Sequence, residues 1–370
     1  MNVTDVAIGD VLLPAVRDRG SRATHVKHLL TGHWFSGVMV EYLKARERKS
    51  SGERTVARDP MADAQRIMRR ASTRAALVGT GAAAITTSAG TFTLNSNGWT
   101  GILALPAASA AMAGDMLLRA IVNLDMCCDI AELFDVHFDA SDPADLARLH
   151  AVAHHVVDVP DDAGDRGHDA LDALTKLDPE QVGRAVGVSS STETVLRNVI
   201  PFVGLVTSTV TSYRLTRRLG WASLQYARAR AAFREALAPF ADKAPPDVFV
   251  VLIEGIWFAF TSDGQLDESD AAILAHLLHA RPDDIRHRLL DRLRDDEAGW
   301  IARLGAVPGE LREEFYRVIC VATAVHGELT PGDRRFVVSA AEALGVDPRI
   351  PELERLAQGF RDTGHAGARA

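Results

Sequence analysis

The chain has 370 residues, 47% apolar and 24% charged, which excludes a wholly disordered polymer and gives enough length for two domains. Its formal net charge is −8, so the chain as a whole is not an electrostatic nucleic-acid binder. The charge is unequal along the chain: residues 17–74 carry fourteen Lys/Arg against six Asp/Glu, and residues 241–370 carry fifteen against twenty-three.

A basic front and an acidic back imply modules with different partners. Three cysteines, two of them adjacent (Cys127 and Cys128), form no disulfide framework and have no zinc-ligand spacing, so a reducing cytoplasm is the expected setting. The first twenty residues lack the basic start and long apolar run of a secretory signal.

Helical periodicity dominates and strand patterns are scarce, which predicts an all-α fold. Residues 1–60 read as an N-terminal extension, with a helical pattern over Thr24–Arg48 and a polar linker over Lys49–Pro60. A basic helix begins at Pro60. From Ala75 to Leu124 nearly every residue is small or apolar, but Asn95, Ser96 and Asn97 break the first half, and Asp115 and Arg119 sit in the second. A transmembrane helix needs about 20 consecutive apolar residues. The stretch therefore reads as two apolar helices joined by a polar turn, buried in a fold or dipping into a membrane surface. A helix ending near Phe134 follows, then the turn Asp142-Pro143, and a long helical stretch over Val195–Phe233 interrupted around Pro201 and Gly204. Lys243-Ala244-Pro245-Pro246 reads as a domain boundary, giving a central domain over 61–240 and an acidic one over 241–370.

Past that boundary the chain repeats itself at an offset of 63. Ile256 to Leu274 parallels Ile319 to Val337, so that Gly264 matches Gly327, Leu266 matches Leu329 and Asp270 matches Asp333. Two helix–turn–helix units of the same phase are predicted. Their turns, SDGQLDESD (Ser262–Asp270) and VHGELTPGDRRF (Val325–Phe336), resemble those of the TerB-like, tellurite-resistance-associated family, as does the closing AEALGVDP (Ala341–Pro348). The resemblance covers about 246–360. The middle of the chain, about 61–238, is similar to the EcsC family in Ala113–Pro143 and in Asn198–Arg228, with its P-x-x-G entry and RR-x-G step. It departs from that family at Phe134-Asp135, where Tyr-Gly is usual, and at Ala113, where the family has Pro before the Asp.

The acidic turns carry the leading site. Asp263, Asp267 and Asp270, with Glu328 and Asp333 from the second turn, offer the oxygens a hard divalent cation such as calcium requires. The EF-hand pattern is not met, because Gly264 stands at loop position 2 and Leu274 where the twelfth-position Glu belongs. The TerB resemblance implies cation binding through these acids, although His326 stands where the family usually has Asp. Helix capping is the competing explanation, since an aspartate at a helix start binds free backbone N–H groups.

A second cluster, His137, Asp139, His150 and His154, places two histidines four apart on one helix face, as a metal-dependent hydrolase would. Position 151 is Ala, so the metalloprotease signature is absent. Basic residues flank apolar helices at Arg66, Arg69, Arg70 and Arg74 and again at Arg214, Arg217 and Arg218, a pattern that holds a protein to anionic lipid. Together these features imply a non-enzymatic bacterial stress-response or scaffold protein. It is expected to be cytoplasmic and peripheral on the inner membrane, with no organic cofactor, a protein partner still to be identified and no nucleic-acid partner. The alternatives are that hydrolase and a purely structural cytoplasmic adaptor.

Overall fold

A computed structural model describes residues 39–40, 42–46, 59–95, 118–139, 141–142, 145–146, 148–149, 204–241, 243–262, 268–279 and 297–368, with the backbone alone at 78–95, 204–210, 241, 268–269, 279 and 362–368. The described residues are 85% helical and include no strand, so the fold is all-α as expected. None of the described helices is long and apolar enough to cross a membrane. The chain divides into two compact units, and among the described residues the division falls between Leu224 and Gln225. That division lies inside one helix, whereas Lys243-Ala244-Pro245-Pro246 lies within the second unit.

The first unit is built on α1 (Pro60–Asn95), α2 (118–133) and the first half of α3 (Gly204–Ala241). Proline at the start of α1 suits a position whose N–H has no helical partner, and Asp59 accepts bonds from the amides of Met61 and Ala62. α1 stops at Asn95, where the polar break was expected. It buries Ala64, Met68, Ala71, Ser72 and Ala75, a stripe at helical spacing.

α2 and α3 run parallel. Arg119 donates to the Ser212 hydroxyl at 2.6 Å, and one turn further on Thr216 donates to Asn123 at 3.4 Å. A Cβ placed on Gly220 would stand 2.5 Å from the Met68 side chain and 3.1 Å from that of Met126, so the helices meet where side chains are smallest. Cys127 and Cys128 are both buried on α2, and burial pushes both thiols up, which keeps them protonated and inert.

The second unit is organised around α4 (Pro246–Phe260), buried from Phe249 to Phe260 except at Phe258. Its all-round apolarity is that of a central core helix. α4 packs on α7 (Arg312–Ala324), with α5 (Glu268–His279), α6 (Glu297–Arg303), α8 (Pro331–Leu344) and α9 (Ile350–Ala368) around them. Trp300 of α6 fits where Gly255 leaves room, donates Nε1–H to the Val251 carbonyl at 2.8 Å and stacks on Phe336 with ring centroids 5.1 Å apart. The buried charge of α4, Glu254, takes two bonds from Arg303 on a single oxygen, at 2.9 and 3.1 Å. A buried carboxylate without such a partner would be strongly unfavourable.

The helix boundaries follow the sequence repeat. α5 begins at Glu268 and α8 at Pro331, 63 residues apart, and α4 and α7 end at Phe260 and Ala324. α4 followed by α5, and α7 followed by α8, are the two halves of the repeat.

Candidate functional site: two interlocked turns

The site begins where α4 ends. The Thr261 hydroxyl donates to Trp257 O, and the Ser262 hydroxyl reaches Ala259 O, both at 2.9 Å, so the last turn is closed by local side chains. Ser262 also donates to Oδ1 of Asp333 in the other half of the repeat. The two turns approach closely enough that a Cβ on Gly332 would lie 3.3 Å from Ser262 O.

α8 opens with a reciprocal cap. Thr330 Oγ1 accepts from the Asp333 amide at 3.1 Å, and Asp333 Oδ2 accepts from the Thr330 amide at 2.8 Å. Both oxygens of this buried carboxylate are thereby engaged, one by its own turn and one by Ser262. At the far end of α8, Gly345 adopts φ 69 and ends the helix by donating to Ala341 O and Glu342 O.

The equivalent aspartate of the first half of the repeat is held the opposite way across. Asp270, 3% exposed on α5, accepts from His326 Nε2 of the second turn at 2.8 Å. The carboxylate can only accept here, so Nε2 carries the hydrogen. The Phe260 ring lies beside the imidazole, 5.9 Å between centroids. Next to His326, Gly327 adopts φ 77 with the Arg361 backbone against it, and Arg361 Nε donates to its carbonyl at 3.0 Å. α9 thus straps the second turn in place.

Of the expected cation ligands, Asp270 and Asp333 are buried in these cross-turn contacts and Glu328 is exposed, while Asp263 and Asp267 lie outside the described residues. Asp270, Glu328 and Asp333 do not form a group whose oxygens lie within 4.8 Å of one another. In the second cluster, His137 is half-exposed and lies 3.5 Å from Asp135, and Asp139 Oδ1 accepts from the Ser141 amide and hydroxyl at 2.7 Å. Those are local turn contacts. His150 and His154 lie outside the described residues. Asp135 adopts φ 55, the left-handed conformation that favours glycine, at the position where the resemblance placed Gly.

The candidate membrane residues Arg66, Arg69, Arg70 and Arg74 are exposed on α1, with Arg66 paired to Asp63 at 2.9 Å. On α3, Arg214 and Arg218 are exposed and Arg217 is half-buried.

One cluster in the first unit went unrecognised in the sequence. Arg46, on the helical segment 42–46, binds Asp129 and bonds Glu132 at 2.8 Å, and Tyr42 donates to Asp125. Asp125, Asp129 and Glu132 are spaced four and three apart, one face of α2. Burial is the largest influence on Asp125 and raises its carboxyl, against the Tyr42 hydrogen bond and the guanidinium groups of Arg46 and Arg74. Burial also raises the Tyr42 phenol, which stays a donor. The arrangement fastens segment 42–46 to α2.

Compared with family models, curated proteins and solved structures, the chain has no match.

Proposed function

We propose that this chain is a non-enzymatic scaffold of the bacterial cytoplasm. In this reading its C-terminal helix–turn–helix pair responds to a divalent cation, calcium foremost, and its central helices rest on the inner membrane. The reading combines a TerB-like module with an EcsC-like one and presents the paired repeats to a protein partner. The observation that carries it is the reciprocal locking of the two turns, Ser262 to Asp333 and His326 to Asp270.

A joint of this kind converts local charge into the relative pose of two helical units. Asp263, Asp267 and Glu328 add negative charge to the same two turns, and a cation would neutralise them while the buried pair Asp270 and Asp333 keeps its structural bonds. Cation binding to the folded chain alone then stabilises it in proportion to RT ln(1 + [L]/Kd). For the membrane part, each basic residue near anionic lipid contributes about 1 kcal/mol.

Thermal melting of the full chain in calcium and in EDTA tests the cation. The reading expects a higher Tm in calcium, and no difference in the Asp263→Asn/Asp267→Asn variant. Equal Tm values for the unmodified chain in both conditions would leave only a cation-independent adaptor.

A further inference from the structure

Leu77 is the one exposed large apolar side chain among the described residues, at 68% exposure. Its position on α1 is specific. At about 100° per residue, it projects between Arg66 and Arg70, within the arc that also holds Arg69 and Arg74. All four arginines are exposed, and the buried stripe of Ala64, Met68, Ala71 and Ala75 lies on the opposite side of the helix. Beyond Arg74 the chain carries no charged residue from Ala75 to Gly114, and α1 continues as a helix to Asn95.

We infer that this face of α1 is a docking surface for anionic phospholipid, with the arginines at the phosphates and Leu77 entering the apolar boundary below them. The inference rests on the peripheral-membrane part of the proposed function and assigns it to one helix face and one inserted residue. Charge complementarity selects an anionic partner. An acidic protein would match the arginines, but it would leave Leu77 and the uncharged continuation of the helix without a counterpart. A bilayer surface supplies phosphate and hydrocarbon at adjacent depths, the environment in which arginine keeps its head in the polar layer while its stem lies along apolar surface. α1 is not apolar enough to cross. The contact is therefore interfacial.

The test is flotation of the full chain with vesicles of phosphatidylcholine alone and of equal parts phosphatidylcholine and phosphatidylglycerol. It is combined with an environment-sensitive dye on Leu77→Cys in a Cys320→Ser background, since Cys127 and Cys128 are buried. The expected result is flotation with the anionic vesicles only, and a blue-shifted dye. Replacing Arg66, Arg69, Arg70 and Arg74 together by Gln should weaken partition by about a thousandfold, and replacing them by Lys should preserve it. Leu77→Asp should weaken it about tenfold, and because its site is exposed it serves even where the quadruple variant fails to fold. If the chain floats but the dye does not shift, or the Gln variant floats undiminished, this face is not the docking surface and attachment lies elsewhere, which leaves the peripheral reading standing. If the chain never floats, both fall.

Discussion

Asp270 and Asp333 stand at equivalent positions of two helix–turn–helix units, and each is bound by the other unit's turn: His326 Nε2 reaches Asp270 at 2.8 Å, and Ser262 donates to Asp333. The bonding residues sit at neighbouring positions of the repeat, since 262 and 326 differ by one residue more than the offset of 63. The two units are therefore locked by a near-symmetrical exchange, with a hydroxyl on one side and an imidazole on the other.

Removing the two halves of the Thr330–Asp333 cap should have unequal costs. Thr330→Ala loses a capping bond and should destabilise the chain by about 1 kcal/mol. Asp333→Ala also leaves the Thr330 amide without its side-chain acceptor and removes the contact from Ser262, whose hydroxyl keeps Ala259 O, and should cost about 2–3 kcal/mol. Urea denaturation measures both. Equal losses would mean that the contact from Ser262 contributes nothing.

Two glycines should respond to alanine with opposite signs. A Cβ at Gly255 would meet Trp300 at 2.4 Å and Ile319 at 2.6 Å, so Gly255→Ala should destabilise by about 1–3 kcal/mol. Gly359, inside α9, has nothing within 4 Å of such an atom, and Gly359→Ala should stabilise by about 0.5–1 kcal/mol. The comparison is a pair of thermal melts, and a stabilising Gly255→Ala would contradict the packing of Trp300 on α4.

Asp125 gives a pH dependence whose sign is fixed by the direction of its shift. Its carboxyl is raised in the folded chain, so the folded state holds its proton to higher pH than the unfolded state does. Its contribution to stability is therefore largest at low pH and is lost as pH rises from the ordinary carboxylate range through the raised value. The stability difference between the unmodified chain and Asp125→Asn, followed by urea denaturation across that window, should move against the unmodified chain as pH rises. A difference that stays flat would remove burial as the cause.

Cys320 is half-buried, and burial pushes its thiol up to about 11, against the lowering effects of the Tyr316 hydrogen bond and Arg349. Alkylation of the native chain by iodoacetamide should therefore be slow at pH 9 and reach half its limiting rate near pH 11. Cys127 and Cys128 should react only on unfolding. A Cys320 midpoint at the ordinary value of 9 would show a thiol open to water.

Much of the helical layout was legible because local chemistry sets it. Pro60 marks the start of α1 and the Asn95-Ser96-Asn97 run its end, and the repeat at offset 63 places the starts of α5 and α8. What joins distant parts was not legible. Asp125, Asp129 and Glu132 show in sequence as one acidic helix face, but nothing local tells that Arg46, more than eighty residues earlier, lies on it. His326 likewise stood out as a departure from an acidic pattern, while its partner Asp270 lies on another helix 56 residues away. The division at Leu224 and Gln225 falls in uninterrupted helix, which no linker signal marks.

The central claim, that a cation acts on both turns together through their interlocking, is tested most directly by amide hydrogen exchange of the full chain in calcium and in EDTA. The account predicts slower exchange in calcium over both 262–270 and 325–333, with Asp263→Asn/Asp267→Asn abolishing protection in both segments at once. Exchange that is unchanged by calcium in either turn, or that slows in one turn alone, would contradict it.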